Sequence, residues 1–206
     1  MLQPNKILVI RFSSLGDLIL TSPIFRELRR IFPGANLNLL TSVGFGDVLD
    51  NNPHLDRIIK HPRKENFEQL NQLIEELQAE EFDLIYDAHR SMRSRWIVSK
   101  LTAFGMKRKP SVWKINKRTV NRKLLIHLGW NRLQQGLSQR EQWLLPLKQN
   151  APHGLDASTE LFPDQEDIDL IETLMSEHNL LPRGFIAIGP SASQPLKCWP
   201  LLHFTH

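Results

Sequence analysis

KILVIRFSSLGDLILTSPIFRELRRIF, residues 6–32, decides the fold. KILVI (6–10) is a short apolar run rich in β-branched residues, and LTSPIFRELRRIF behind it spaces Ile24, Leu28 and Ile31 along one helical face. The stretch reads as strand, turn and helix. Pro33-Gly34 ends the helix, NLNLLTSV (36–43) alternates as a strand does, and GFGDVLDNNPHLD is a short helix and loop before a strand at RIIKH (57–61). The pattern then repeats. NFEQLNQLIEELQAE is an amphipathic helix and DLIYDAH (83–89) a buried strand ending in polar residues. Strands that alternate with helices call for right-handed crossovers, so the class is α/β: a mainly parallel sheet with helices on both faces.

Further along, residues 92–106 read as a helix, the basic stretch 107–123 as irregular or mixed, and LLIHLGW as a return to regular structure. Residues 146–165, with Pro146, Pro152 and Pro163 among polar residues, read as a connecting segment with one short strand. DQEDIDLIETLMSEHNL follows as a helix whose first-turn acids complement its dipole, and GFIAIGPSAS as a strand and loop. The expected division is residues 1–160 as one domain and residues 161–206 as a linker helix and the first strand of a second, truncated one.

Composition narrows the class. The 206 residues are 41% hydrophobic and 23% charged, which are globular proportions, and no run approaches the roughly 18 apolar residues of a membrane span. The N-terminal apolar run is broken early by Arg11 and has no small-residue cleavage site after it, and the single Cys198 can form no internal disulfide; both predict a cytosolic chain. Charge is unevenly spread. Residues 88–140 hold fourteen of the 26 Lys and Arg residues and no Asp or Glu, leaving 12 basic against 22 acidic residues elsewhere. Such asymmetry fits an anionic partner, whether phosphate, nucleic acid or a membrane surface, and equally a merely solvated basic face.

In a parallel sheet ligands gather at the carboxyl ends of the strands, and RFSSLGD occupies the first such turn. Ser13 and Ser14 are suited to cap a helix or donate to an anion, and Gly16 lets another molecule approach the backbone. Asp17 either complements the helix dipole or serves as a general base for a hydroxyl, and position alone does not choose. The turn lacks G-x-G-x-x-G, and no segment supplies a P-loop, so dinucleotide and ATP readings lose their main support. Metal ligation is also poorly supported. Asp167 and Asp169 stand two apart on a helix and do not face each other, and the eight histidines include no H-x-x-x-H.

KILVIRFSSLGDLILTSPIFRELRRIFPGANLNLLTS, DLIYDAHRSMRS and GPSASQPLKCWPLLHF together resemble the ADP-heptose lipopolysaccharide heptosyltransferases, glycosyltransferase family 9, a branch of the GT-B glycosyltransferases. S-S-L-G-D followed at this distance by K-x-W-P is the specific part. The resemblance implies two Rossmann-like domains facing a cleft, the first receiving a lipid A and inner-core acceptor and the second binding ADP-heptose. It implies that Asp17 deprotonates the acceptor hydroxyl, which displaces ADP with inversion, without a metal or other cofactor. It also implies acceptor contacts at Ser13, Ser14, Gly16, Arg63, Arg90 and Arg93, and donor phosphate contacts at Lys197, Ser191 and Ser193.

The expected partners are therefore a nucleotide-sugar donor, an anionic lipopolysaccharide-core acceptor and, peripherally, the inner face of the inner membrane, with no nucleic acid. The sequence departs from the family in the loop Gly189-Pro190-Ser191-Ala192-Ser193 and in stopping soon after K-x-W-P, so most of the donor site is expected to be missing. Two alternatives are a non-catalytic module that binds an acidic glycolipid and a nucleic-acid-binding protein using residues 88–140.

Overall fold

A computed structural model of the chain describes residues 3–64, 66–103, 109–132, 136–186 and 198, without the side chains of Thr119 and Arg122. The chain divides into two compact units, Met1–Phe162 and Pro163–His206.

The first unit is built on five parallel strands: β1 (Lys6–Ile10), β2 (Asn36–Ser42), β3 (Arg57–His61), β4 (Leu84–Asp87) and β5 (Ser111–Lys114). Their order is β3-β2-β1-β4-β5, so the chain steps outward from β1 to one edge and then crosses to fill the other. That reversal lies between β1 and β4, where open α/β sheets open a crevice at their carboxyl ends. Register places Ile10 beside Leu40 and Asp87, and Lys114 beside Asp87, so the turns after β1, β4 and β5 leave the sheet together.

Side chains alternate across β1 and sort the core into two layers. Ile7, Val9, Leu37, Leu39, Leu84 and Tyr86 pack with Leu18, Ile24, Phe25, Leu28, Trp143 and Leu144. Leu8, Ile10, Leu40 and Ile85 pack on the other face with Leu73, Ile74, Leu77, Ile97 and Leu101. The first layer is covered by α1 (Leu15–Ile19), α2 (Ser22–Ile31) and α6 (Gln139–Leu144), and the second by α3 (Phe67–Ala79) and α4 (Met92–Leu101). The expectation of a parallel sheet with helices on both faces is met. The remaining helix of this unit, α5 (Thr119–Leu128), buries none of its described residues.

Several local expectations change. The helix expected to run unbroken from Leu20 is preceded by the separate α1 and starts anew at Ser22. Thr21 donates from Oγ1 to the Leu18 carbonyl at 2.5 Å, and Pro23 has no N–H to bond back to residue 19, so α2 starts with its proline in the first turn. The helix expected over 92–106 ends at Leu101, and the mixed basic stretch contains β5 and the start of α5. No strand lies in 146–165. A 3-10 turn, Leu145–Asn150, opens that segment, and residues 156–160 then lie along α2 on side-chain bonds: Arg26 pairs with Glu160 at 2.8 Å and Asp156 at 3.2 Å, and the Glu160 amide donates to Ser22 Oγ at 3.0 Å. With its polar groups taken up by α2, the segment has no need of a strand partner.

The second unit contains α7 (Gln165–Glu177), capped by Asp164, whose carboxylate accepts from the Asp167 amide at 2.8 Å. The strand expected from Phe185 onward falls largely outside the described residues.

Candidate active site

Arg11 extends β1 by one residue, and its guanidinium turns back over the end of the sheet. It is 5% exposed, with Nη1 donating to the Ala88 carbonyl at 2.6 Å and Nη2 paired with Asp17 Oδ2 at 2.6 Å. The Trp143 ring lies 4.7 Å from the guanidinium carbon, adding a cation–π contact. Burial draws the Arg11 pKa down from its ordinary value, and Asp17 and then Asp87 oppose that shift. One side chain thus ties the turns after β1 and β4 to α6 and fixes where the Asp17 carboxylate sits.

Asp17 is the third residue of α1 and Ser14 its N-cap. The Ser14 amide and hydroxyl approach Asp17 Oδ2 at 3.5 and 3.4 Å, long contacts that add little to the Arg11 pair. All of these bonds fall on Oδ2. Asp17 is 37% exposed, and Oδ1 is left for another donor. A Cβ on Gly16 would meet nothing within 4 Å, so the backbone beside Asp17 is open to approach. Ser13 is half-buried, and its side chain has no hydrogen-bond partner among the described residues.

Asp17 and Arg11 line a cavity of about 210 Å³ with Ile115, Asn116, Lys117, Gln139, Gln142 and Trp143. Burial lowers the Lys117 pKa, as do the charges of Arg11, Arg95 and Arg90, while Asp87 offsets them. Two cations, Arg11 and Lys117, thus line this opening, Arg90 and Arg95 lie close enough to act on Lys117, and Asp17 and Asp87 offset the positive charge. Such a site attracts anions. His89 is pushed down to about 4, first by burial and then by Arg11 and Lys117; its ring meets Phe12 edge-on with centroids 5.6 Å apart. It is the neutral imidazole at neutral pH. A larger cavity of about 460 Å³, beside Glu27, Arg30, Phe32 and Lys148, lies away from this chemistry, ahead of β1 and at the C-terminal end of α2.

The residues singled out from the sequence divide. Asp17, Ser14 and Gly16 meet at the turn after β1, and Arg90 joins the neighbourhood, its Nη1 donating to the Ile115 carbonyl at 3.2 Å. Arg93 and Arg63 do not line the cavity. The Arg93 guanidinium lies 4.0 Å over Phe12 and donates to the Pro62 carbonyl, and exposed Arg63 lies 5.9 Å from the centre of the Phe45 ring. Lys197, Ser191 and Ser193 fall outside the described residues. Sequence reading missed Arg11 and Trp143 and met Lys117 only as one member of the basic stretch. A signal for Arg11 existed, because a charge placed directly after a buried strand has to find a partner at the strand's end. Trp143 had none, its helix being only six residues long and far along the chain. Among the described residues no three His, Cys, Asp or Glu side chains gather as a metal site would require, and no helix is long and apolar enough to cross a membrane.

Comparison with known proteins places the chain in a family. Lipopolysaccharide heptosyltransferase 3 of Escherichia coli is 24% identical over 213 residues, covering 92% of this chain and 56% of the relative. Among solved structures, a family 9 glycosyl transferase from Veillonella parvula superposes with a TM-score of 0.71 at 20% identity, over 99% of this chain and 59% of its own. E. coli heptosyltransferase WaaC with ADP-2-deoxy-2-fluoro heptose gives 0.51 at 22% identity, over 74% and 52%. The chain thus spans little more than half the length of each. The two structures agree with the α/β fold described above. The sequence profile of glycosyltransferase family 9 (heptosyltransferase) matches residues 70–206, more than half of the chain, and the chain belongs to that family.

Proposed function

We propose that this chain is the acceptor-side part of a glycosyltransferase that moves heptose from ADP-heptose to the inner core of lipopolysaccharide, with Asp17 as the general base. The observation that carries the reading is the half-open Asp17 carboxylate: Oδ2 is clamped by buried Arg11, and Oδ1, without a partner among the described residues, can accept a proton at an anion-attracting cavity that Asp17 lines. In this reaction the acceptor hydroxyl gives its proton to Asp17 as its oxygen bonds to the anomeric carbon. The carbon–oxygen bond to ADP breaks on the opposite side, so the configuration inverts and ADP leaves as the diphosphate anion. A positioned base of this kind contributes about 10²- to 10⁴-fold.

The acceptor's phosphates and acidic sugars would meet Lys117 and Arg90, with Ser13, Ser14 and Gly16 shaping the approach and Arg63 and Arg93 farther out. Lys197, Ser191 and Ser193 are proposed as diphosphate contacts on family resemblance alone, with Lys197 offsetting the charge that grows on the departing nucleotide. No metal or other cofactor and no nucleic acid enters this proposal, and the cytoplasm is the proposed location. The relatives' names and the ADP-sugar held by WaaC support the choice of donor.

The test is ADP release by the 206-residue chain given ADP-heptose and a deacylated inner-core acceptor. Turnover that Asp17→Ala removes while acceptor binding persists is the expected result. Acceptor binding without any turnover would make this chain a binding module, and turnover unaffected by Asp17→Ala would end the general-base assignment.

A further inference from the structure

Lys117 lines the Asp17 cavity, and among the described residues its amine has no hydrogen-bond or ion-pair partner. Other lysines are held differently. Lys60 pairs with Asp47 at 2.7 Å and Asp50 at 2.8 Å, and Lys6 with Glu80 at 2.8 Å. The bonds from Asp47 and Asp50 raise the Lys60 pKa, whereas burial and then Arg11 lower that of Lys117. The backbone holds Lys117 in place from both sides. Buried Ile115 donates its amide to the Asp87 carbonyl at 3.3 Å, and Arg118, at a left-handed φ of 48°, donates its amide to Asn116 Oδ1 at 2.9 Å. Positive charge reaches the amine from Arg11, Arg90 and Arg95, with Asp17 and Asp87 opposing it, while α6 contributes the uncharged Gln139, Gln142 and Trp143. A lysine among other cations gives up its proton more readily and becomes a nucleophile. The same cations draw an anion toward it.

We infer that Lys117 is an acylation site that takes its acyl group from a small acyl phosphate drawn into this cavity. The neutral amine attacks the carbonyl carbon and a nitrogen–carbon bond forms. The carbon–oxygen bond to the phosphate breaks, and inorganic phosphate leaves with the proton that the nitrogen sheds. The amides of Asn116, Gln139 and Gln142 supply donors for the phosphoryl oxygens, and the cations offset the charge of the leaving phosphate. Size chooses the donor: about 210 Å³ is less than the roughly 300–1,000 Å³ that holds a drug-sized ligand, so a coenzyme A thioester brings the same acyl group on a carrier too large to enter. The product is a neutral amide in place of one of the two cations that line the cavity. The acylation does not rest on the role given to Asp17. Its consequence rests on the proposed function: losing that charge weakens the hold on an anionic acceptor.

Peptide mass spectrometry of the 206-residue chain after timed exposure to acetyl phosphate tests it. Lys117 should gain acetyl groups at least about tenfold faster than Lys60, the low end of the enrichment that a focused field gives. Inorganic phosphate and added salt should slow Lys117 selectively. Arg95→Gln changes an exposed residue and should slow Lys117 about threefold, while the rate at Lys60, which reports an intact fold, stays the same. Equal rates at the two lysines would overturn the inference, as would a Lys117 rate indifferent to salt and to Arg95→Gln, or faster labelling of Lys117 by acetyl coenzyme A than by acetyl phosphate. Acceptor binding is measured separately. Lys117→Gln, which removes the same charge, should weaken binding of the deacylated inner-core acceptor up to about fivefold. Unchanged binding would overturn the consequence for the acceptor, and the labelling result, read by mass alone, would stand apart from it.

Discussion

The turns after β1 and β4 leave neighbouring strands at the same end of the sheet, and an aspartate serves each, yet the two carboxylates are used in opposite ways. Asp87 is 4% exposed and its oxygens are occupied: Oδ1 accepts from the amides of His89 and Arg90 at 3.0 and 2.7 Å, and Oδ2 accepts from the buried Ser94 hydroxyl at 3.2 Å. These bonds hold Arg90 at a left-handed φ of 51° and lead the chain into α4. Asp17 commits one oxygen, its other oxygen has no partner among the described residues, and the residue lines a cavity. A carboxylate whose acceptor capacity is spent on its own backbone is scaffold, and one with capacity left over beside an opening is available for chemistry. Arg11, reaching both turns, lets the closed one brace the open one.

The sharpest way to break that contrast is to neutralise the open carboxylate. Asp17→Asn should lower turnover by about 10²- to 10⁴-fold while the chain stays folded; ADP-release rates and denaturation curves measured together would show it, and a variant that unfolds with proportionate loss of activity would make Asp17 scaffold as well. The closed turn should behave in reverse. Asp87→Ala removes three accepted hydrogen bonds in a buried place and should cost about 2 to 4 kcal/mol, read from urea midpoints. An Asp87→Ala protein as stable as the parent would remove the distinction.

The bracing can be probed more gently. Buried Tyr86 donates its hydroxyl to the Trp143 carbonyl, joining β4 to the helix whose tryptophan covers Arg11, and burial raises its pKa. Tyr86→Phe should cost about 1 to 2 kcal/mol and spare much of the turnover that Asp17→Asn abolishes. The smallest effect concerns acid. His89 binds its proton only near pH 4 in the folded chain but near 6.5 when unfolded, so the unfolded state takes up more protons as pH falls through that interval. Stability should decline from about pH 6.5 toward 4, and His89→Phe should flatten that part of the curve in denaturation measured across pH.

Much of the scaffold was legible in the chain. β1 and β3 keep the ends expected from their apolar runs, and α3 starts just after Asn66, whose side chain accepts from the Gln69 amide. Period, caps and proline act within a few residues, so a local reading finds them. Where reading failed, a contact distant in sequence had intervened. The segment 146–165 looked capable of a strand until Arg26, more than a hundred residues earlier, bound its carboxylates. The helix α6 passed unnoticed because six residues are too few to show a period, and its tryptophan is held by the core.

By itself the sequence determined the alternation of strands and helices, the placing of Asp17 in the first turn and the concentration of basic charge after residue 88, all of which follow from neighbours along the chain. The tertiary structure alone decided that Arg11 would clamp Asp17 to the Ala88 carbonyl 77 residues away under the Trp143 ring, and that Lys117 would close the same cavity. Those contacts depend on the crossover that sets β4 against β1 and β5 against β4. Only when the strands are in register do charges so far apart in sequence come close enough, and dry enough, to govern one another.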